Sequence, residues 1–234
     1  MKSWRSKALK KSLKFCPEFL QPYRSVLDEG DCFVLLSRRG DLIFVDRHGL
    51  LAAQRNDRWY VYDNHTMKNC LSDAVIRGHS YWTGANLFEV VFDLSYRRHG
   101  ALLVFDPQHQ VIGHVVNPGS VLAPPDRCDE VRKMLGPAVK KIRMDARQAG
   151  ERHKRLLLDI AHVDGAVIFD EHEVLAFGAM IATHPSAAGH FGARTTAAYS
   201  ALYHGGTAIK ISADGDICAV FPDSEGRGLS MTFA

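Results

Sequence analysis

Hydrophobic and polar positions along the chain change period several times, and each change predicts an element. Over 31–63, "DCFVLLSRRGDLIFVDRHGLLAAQRNDRWYVYD", short apolar runs are separated by Arg39-Gly40-Asp41, His48-Gly49 and Asn56-Asp57. Those residues suit turns, so the segment predicts a small β-rich module. In "NLFEVVFDLSYRRHG" the period becomes helical: Leu87, Val90, Val91 and Leu94 stand at i, i+3, i+4 and i+7. One face of that helix is therefore buried, and Gly100 is placed to end it. "ALLVFD" (101–106) is unbroken and predicts a strand buried on both faces. "VIGHVVN" predicts a further strand, and "PGSVLAPP" a loop.

Residues 127–161 predict helices, the last carrying Leu156, Leu157 and Ile160 near its end. A strand over 165–169, a turn at Asp170–Glu173 and a strand over 174–181 follow. A loop rich in Ala, Gly and His (183–193) leads into the helix "TTAAYSALYH". A strand over 207–211, the turn "ADGD" and a strand over 217–221 close the pattern, with Asp214-Gly215 as the hairpin signal. Helices interleaved with strands and hairpins predict an α/β fold, with a central mixed sheet flanked by helices. The expected division is a basic helix plus β-rich module over 1–80, then a main domain over 81–234.

Charge adds one feature. "MKSWRSKALKKSLK" holds Lys2, Arg5, Lys7, Lys10, Lys11 and Lys14, with no acid before Glu18. A basic helix over 4–15 offers contact with nucleic acid or an anionic membrane, or acts as a transit peptide. A solvated helix face is favoured, because Lys and Ser interrupt the apolar pairs Trp4/Ala8 and Leu9/Leu13. No run reaches the roughly 18 apolar residues of a membrane span, and the first dozen residues lack the apolar core of a secretory signal. Cys16, Cys32, Cys70, Cys128 and Cys218 are scattered without a C-x-x-C. That spacing predicts reduced thiols, a cytoplasmic setting and no structural zinc. The twelve histidines show no H-E-x-x-H spacing, and no Walker A, Rossmann fingerprint or G-x-S-x-G elbow occurs.

Two segments carry candidate chemistry. Asp164-Gly165-Ala166 opens an otherwise apolar strand. Asp and Gly there are either an entry turn or the mouth of a site. In "GARTTAAYSAL", Gly192 and Arg194 lead into a helix beginning near Thr195 and Thr196. Backbone N–H groups, two hydroxyls and a guanidinium can converge there on an anion such as phosphate. The alternative is a Thr N-cap beside a surface Arg.

Taken in order, these segments resemble the diadenylate cyclase (DAC) family, whose members join two ATP into cyclic di-AMP. The likeness covers about residues 86–221 and rests on "LFEVVFDLSYRRHGALLVFD", on Asp164-Gly165-Ala166, on "GARTTAA" against the family's G-T-R-H-R-A-A, and on "AIKISADGDICAVF" with its Ser212 turn. The resemblance implies a DAC-like domain. It implies that Asp164 holds a divalent metal (Mg or Mn) and activates the attacking 3′-hydroxyl. It implies a nucleotide, ATP or a cyclic dinucleotide, at Gly165, Ala166, Gly192, Arg194, Thr195, Thr196 and Ser212. Gly165 and Ala166 would admit close approach of the nucleotide, and Arg194 would bind the triphosphate. A face-to-face homodimer is implied as well, one ATP coming from each subunit.

The departures are specific. The family's His and second Arg are Thr195 and Thr196 here, its preceding Thr is Ala193, and the His before D-G-A is Val163, with His162 one place earlier. Losing a charge-assisted phosphate contact costs about 2–4 kcal/mol of transition-state stabilisation. Three readings follow: a nucleotide sensor, favoured by the eroded Arg-His-Arg; an active cyclase, favoured by the intact D-G-A; and a structural or partner-binding domain.

Overall fold

The computed structural model describes residues 15–77, 81–122, 151–190 and 192–233. Residues 4–14 of the predicted basic helix and residues 127–150 of the predicted helical stretch 127–161 lie outside the described residues. Contacts group the chain into Met1–Asn64 and His65–Ala234. Residues 65–77 thereby join the larger unit, whereas the sequence division placed them with the N-terminal module.

In the smaller unit a short helix, α1 (Gln21–Arg24), precedes four strands: β1 (Cys32–Leu36), β2 (Leu42–Asp46), β3 (Gly49–Arg55) and β4 (Arg58–Val61). They form an antiparallel meander in the order β1-β2-β3-β4. Each predicted turn connects two of them. Asn56 and Asp57 both take positive φ, 47° and 60°, as a two-residue hairpin of the favoured twist requires. At the middle turn the Asp46 carboxylate accepts from the His48 and Gly49 N–H groups at 2.7 and 2.9 Å.

The larger unit contains helices α2 (Asn64–Leu71), α3 (Tyr81–Arg97), α4 (Glu151–Ala161) and α5 (Ala193–Tyr203). Its strands are β5 (Ala101–Phe105), β6 (Ala166–Phe169), β7 (Val174–Ala179), β8 (Thr207–Ile211), β9 (Ile217–Pro222) and β10 (Gly228–Phe233). The sheet order is β10-β9-β8-β5-β6-β7. Only β5 and β6 run parallel; every other pair is antiparallel. The expected mixed α/β sheet is therefore observed.

Alternation along the strands sorts the core into two faces. Leu102, Val104, Ala166, Ile168 and Ala208 pack with Ala198 and Ala201 of α5. Leu103, Phe105, Val167 and Phe169 alternate to the other face, where the rings of Phe105 and Phe169 lie 5.7 Å apart. α3 and α4 pack there, tied by Lys154 Nζ at 2.5 Å from the buried Asp93 carboxylate.

Three local predictions are corrected. "VIGHVVN" is not a strand: Val111–His114 is a 3-10 turn, and only Val115 makes an isolated bridge, to Ile181. The buried Asp106 carboxylate captures the Gln110 and Ile112 N–H groups at 2.9 Å each, which bends the segment away from extended pairing. Gly100 does not end α3. Arg98 takes the left-handed conformation (φ 57°), and the His99 N–H closes onto the Leu94 carbonyl. A further strand, β10, lies beyond the last predicted one, where Leu229, Met231 and Phe233 alternate with Ser230 and Thr232.

Candidate functional site

The site lies where β6 begins, beside the first turn of α5 and the end of β8. Asp164 sits just before β6 with its side chain 86% exposed, and its Oδ1 accepts from the Gly165 N–H at 3.1 Å. Gly165 has φ 109°, and a Cβ there would lie 2.5 Å from the backbone carbon of Gly178. The glycine is required because β6 and β7 cross closely at a bulge; Gly178 is itself left-handed, at φ 63°. The structure thus provides a cause for Gly165 other than close approach of a nucleotide. Ala166 is buried on the α5 face.

The segment "GARTT" forms the start of α5. Gly192 (φ 90°) is the N-cap and supplies no side-chain bond, so the Thr N-cap alternative does not hold. Arg194 reaches back across the sheet end. Its Nη2 lies 3.9 Å from Asp164 Oδ1, and a Cβ added to Gly100 would stand 2.6 Å from its Nη1.

The two threonines differ. Thr196 donates its hydroxyl hydrogen to the His190 carbonyl at 3.0 Å, with the Gly192 carbonyl at 3.2 Å. Its single donor is therefore spent on backbone. Thr195 Oγ1 instead accepts from Lys210 Nζ at 3.2 Å, which leaves its own hydrogen for another acceptor. Ser212 shapes the β8–β9 turn, its Oγ accepting from the Asp216 N–H at 3.0 Å. Ser95 of α3 steadies that turn by donating to the Gly215 carbonyl.

These residues line two adjoining cavities. One, of about 470 Å³, is mainly apolar, with Leu102, Ala166, Ala179, Met180, Ile181 and Ala197 among its walls. The other, of about 310 Å³, has the charged and hydroxyl-bearing residues Arg194, Thr195, Lys210 and Ser212 on its walls. Asp164, Ala193 and Arg194 belong to both. Every predicted site residue lines at least one: Gly165, Ala166 and Thr196 the larger cavity, Gly192, Thr195 and Ser212 the smaller one. An apolar slot opening onto a cationic, hydroxyl-lined recess can hold a flat apolar group joined to an anion.

Asn117 holds the backbone beside Met180, a residue of the larger cavity's wall. Its side-chain amide donates to the Gly178 carbonyl at 2.9 Å and accepts from the Met180 N–H at 2.7 Å, fixing the end of β7. His162 packs against the His99 ring, with centroids 4.0 Å apart and the planes tilted by 33°, while Val163 is exposed. Burial, with the charges of His99 and Arg97, holds the His162 pKa below the ordinary imidazole value, against the opposing pull of Asp159. It does not take the place left by Val163.

Lys210, Gly100 and Asn117 were not among the predicted site residues. Lys210 had a signal, as the one charge in the apolar run "TAIKI". Gly100 and Asn117 had none, since their partners are remote in the chain.

A metal fits this site in one way only. Among the described residues no group of three or more His, Cys, Asp or Glu is arranged to hold one. Asp164 is the sole carboxylate on the two cavities' walls. That donor set matches Mg²⁺ or Mn²⁺ carried largely by ligand phosphates and water, with one protein carboxylate. Among the described residues no helix is long and apolar enough to cross a membrane.

No family model and no curated protein matches the chain. Among solved structures it is similar to a double mutant of DacA from Staphylococcus aureus, a diadenylate cyclase. The identity is 18%, with a TM-score of 0.39, covering 62% of this chain and 83% of that one. It is also similar to a hypothetical membrane spanning protein from Bacillus cereus, at 15% identity and a TM-score of 0.44, covering 72% and 76% of the two chains.

Proposed function

We propose that the larger unit is a nucleotide-binding domain that acts as a sensor. The base lies in the apolar cavity and the phosphates face Arg194, Thr195 and the first N–H groups of α5. The observation that carries this reading is the pair of cavities sharing Asp164 and Arg194, the smaller of them also walled by Lys210, Thr195 and Ser212. Their volumes fall in the range of small-molecule sites.

Binding without turnover is favoured by the state of Thr196. The hydroxyl standing where the resemblance implies a second Arg is committed to the His190 and Gly192 carbonyls, so it offers no donor to a phosphate. The second reading, a diadenylate cyclase, is favoured by Asp164, whose exposed carboxylate lines both cavities. As a cyclase the domain would use Asp164 to hold the metal and take the 3′-hydroxyl proton, with a second copy presenting the other ATP.

The test is incubation of the protein with ATP and Mg²⁺ or Mn²⁺, read by mass spectrometry and thermal shift. Sensing predicts stabilisation without cyclic di-AMP, and loss of that stabilisation in Arg194→Ala. Product that disappears in Asp164→Asn establishes the cyclase instead. Stabilisation by neither ATP nor a cyclic dinucleotide refutes both.

A further inference from the structure

We infer that Lys210 is a second phosphate-binding cation of this site, and that the site selects nucleotides with contiguous phosphates over monophosphates. The inference rests on the nucleotide-binding reading and adds a residue and a ligand class to it.

Lys210 occupies an unusual place. It interrupts β8, whose other residues, Thr207, Ala208, Ile209 and Ile211, are buried. It pairs across the sheet with Leu102 of β5 and Cys218 of β9, so its stem crosses apolar surface below α5. Burial raises the Cys218 pKa, and the Lys210 charge opposes that rise without reversing it. A neutral thiol is no counter-ion. Among the described residues no carboxylate pairs with Lys210, and its polar contact is the Thr195 hydroxyl at 3.2 Å. Half-burying an ammonium with only a neutral partner is unfavourable unless an anion completes it.

The smaller cavity supplies the place for that anion. Lys210 and Arg194 enter it from different elements, a strand and a helix, with Thr195 and Ser212 on the same walls. Against these two cations stands one carboxylate, the largely exposed Asp164. An ammonium keeps two further N–H donors after the Thr195 contact. Because Lys210 donates to Thr195 Oγ1, the threonine hydrogen is freed to donate onward. Two cations and an oriented hydroxyl within about 310 Å³ match adjacent phosphate groups better than a single one.

The experiment is titration calorimetry of the full chain with ATP, ADP and AMP, in the parent and in Lys210→Met, Lys210→Arg and Thr195→Val. Expected are tighter ADP than AMP binding in the parent and at least ~10-fold weaker ADP binding in Lys210→Met, with AMP altered by less than ~3-fold. Lys210→Arg is expected to keep most of the ADP affinity. Lys210→Met is also expected to hold or raise the melting temperature, because it removes a half-buried charge. If Lys210→Met does not fold, Thr195→Val carries the test, with ADP binding expected to fall ~3- to 10-fold. ADP binding unchanged in the variants, or equal parent affinities for AMP and ADP, overturns the role of Lys210 while nucleotide binding stands. A parent that binds none of the three overturns both.

Discussion

The guanidinium of Arg194 rests against the bare backbone of Gly100, where a Cβ would come within 2.6 Å of Nη1. Gly100 is separated from Arg194 by the whole of β6, β7 and their connections, yet it seats the one arginine that faces both cavities. The neighbouring group is the far end of a flexible side chain, so Gly100→Ala is expected to displace the guanidinium rather than disturb the backbone. Stability should change by less than about 0.5 kcal/mol. ATP affinity should fall ~3- to 10-fold. Parallel urea unfolding and calorimetry check the pair of outcomes.

Gly165 and Gly178 face each other across the β6–β7 bulge, and they are not equivalent. Gly165→Ala would place a methyl 2.5 Å from a backbone carbon that cannot rotate away. With its positive φ, the substitution is expected to cost more than about 2 kcal/mol. Gly178→Ala meets only the Val163 methyl at 3.0 Å and the Asp164 carbonyl at 3.3 Å. It should cost about 1 kcal/mol, the ordinary penalty of a left-handed alanine. Denaturant midpoints of the two variants test the order.

Asp170 closes the β6–β7 turn. Its carboxylate accepts from the His172 and Glu173 N–H groups at 2.7 and 2.8 Å and lies 2.9 Å from His109 Nε2. Burial raises its pKa, but these hydrogen bonds outweigh burial and hold it below the ordinary carboxylate value. Asp170→Ala should cost about 1–3 kcal/mol of stability at neutral pH. The contribution it removes is present above the unfolded-state pKa and is lost as acid protonates the folded carboxylate. The variant's deficit should therefore shrink at low pH, which urea titrations across pH will read.

His204 stacks on His114 at 3.8 Å and donates from Nε2 to the Ala182 carbonyl at 3.0 Å, with His184 edge-on at 5.3 Å. Burial lowers its pKa; His114 and His184 lower it further, against the raising effect of the Ala182 contact. The folded protein thus binds this proton less readily than the unfolded chain. Its contribution is present above the ordinary value of 6.5 and is lost as pH falls through the lowered folded value. His162 is shifted in the same direction. Stability should drop as pH falls below about 6.5. His204→Gln should reduce that drop, and adding His162→Gln should reduce it further, as measured by urea midpoints.

The strands of both sheets other than β10 were readable because their signals are local. Turn chemistry marked Asn56-Asp57 and Asp214-Gly215, and unbroken apolar runs marked β5 and β6. The failures were equally physical. "VIGHVVN" has strand composition, but the Asp106 carboxylate takes the N–H groups an extended segment would have offered to a neighbour. Gly100 stood where a helix cap is expected, while Arg98 had already made the left-handed turn.

Among the site residues, spacing alone brought forward Asp164, Arg194 and the two threonines, since a carboxylate before a strand and a guanidinium before a helix are visible in order. Which threonine keeps a donor, and which lysine stands behind it, is absent from that order. Thr195 and Thr196 are adjacent and chemically alike; only the fold gives one to Lys210 and the other to the His190 carbonyl. The sequence by itself determined the elements and the types of group available, because periodicity and turn preference act over a few residues. The tertiary structure decided the partners, because hydrogen bonds and steric contacts form between atoms that the sheet order brings together from distant parts of the chain.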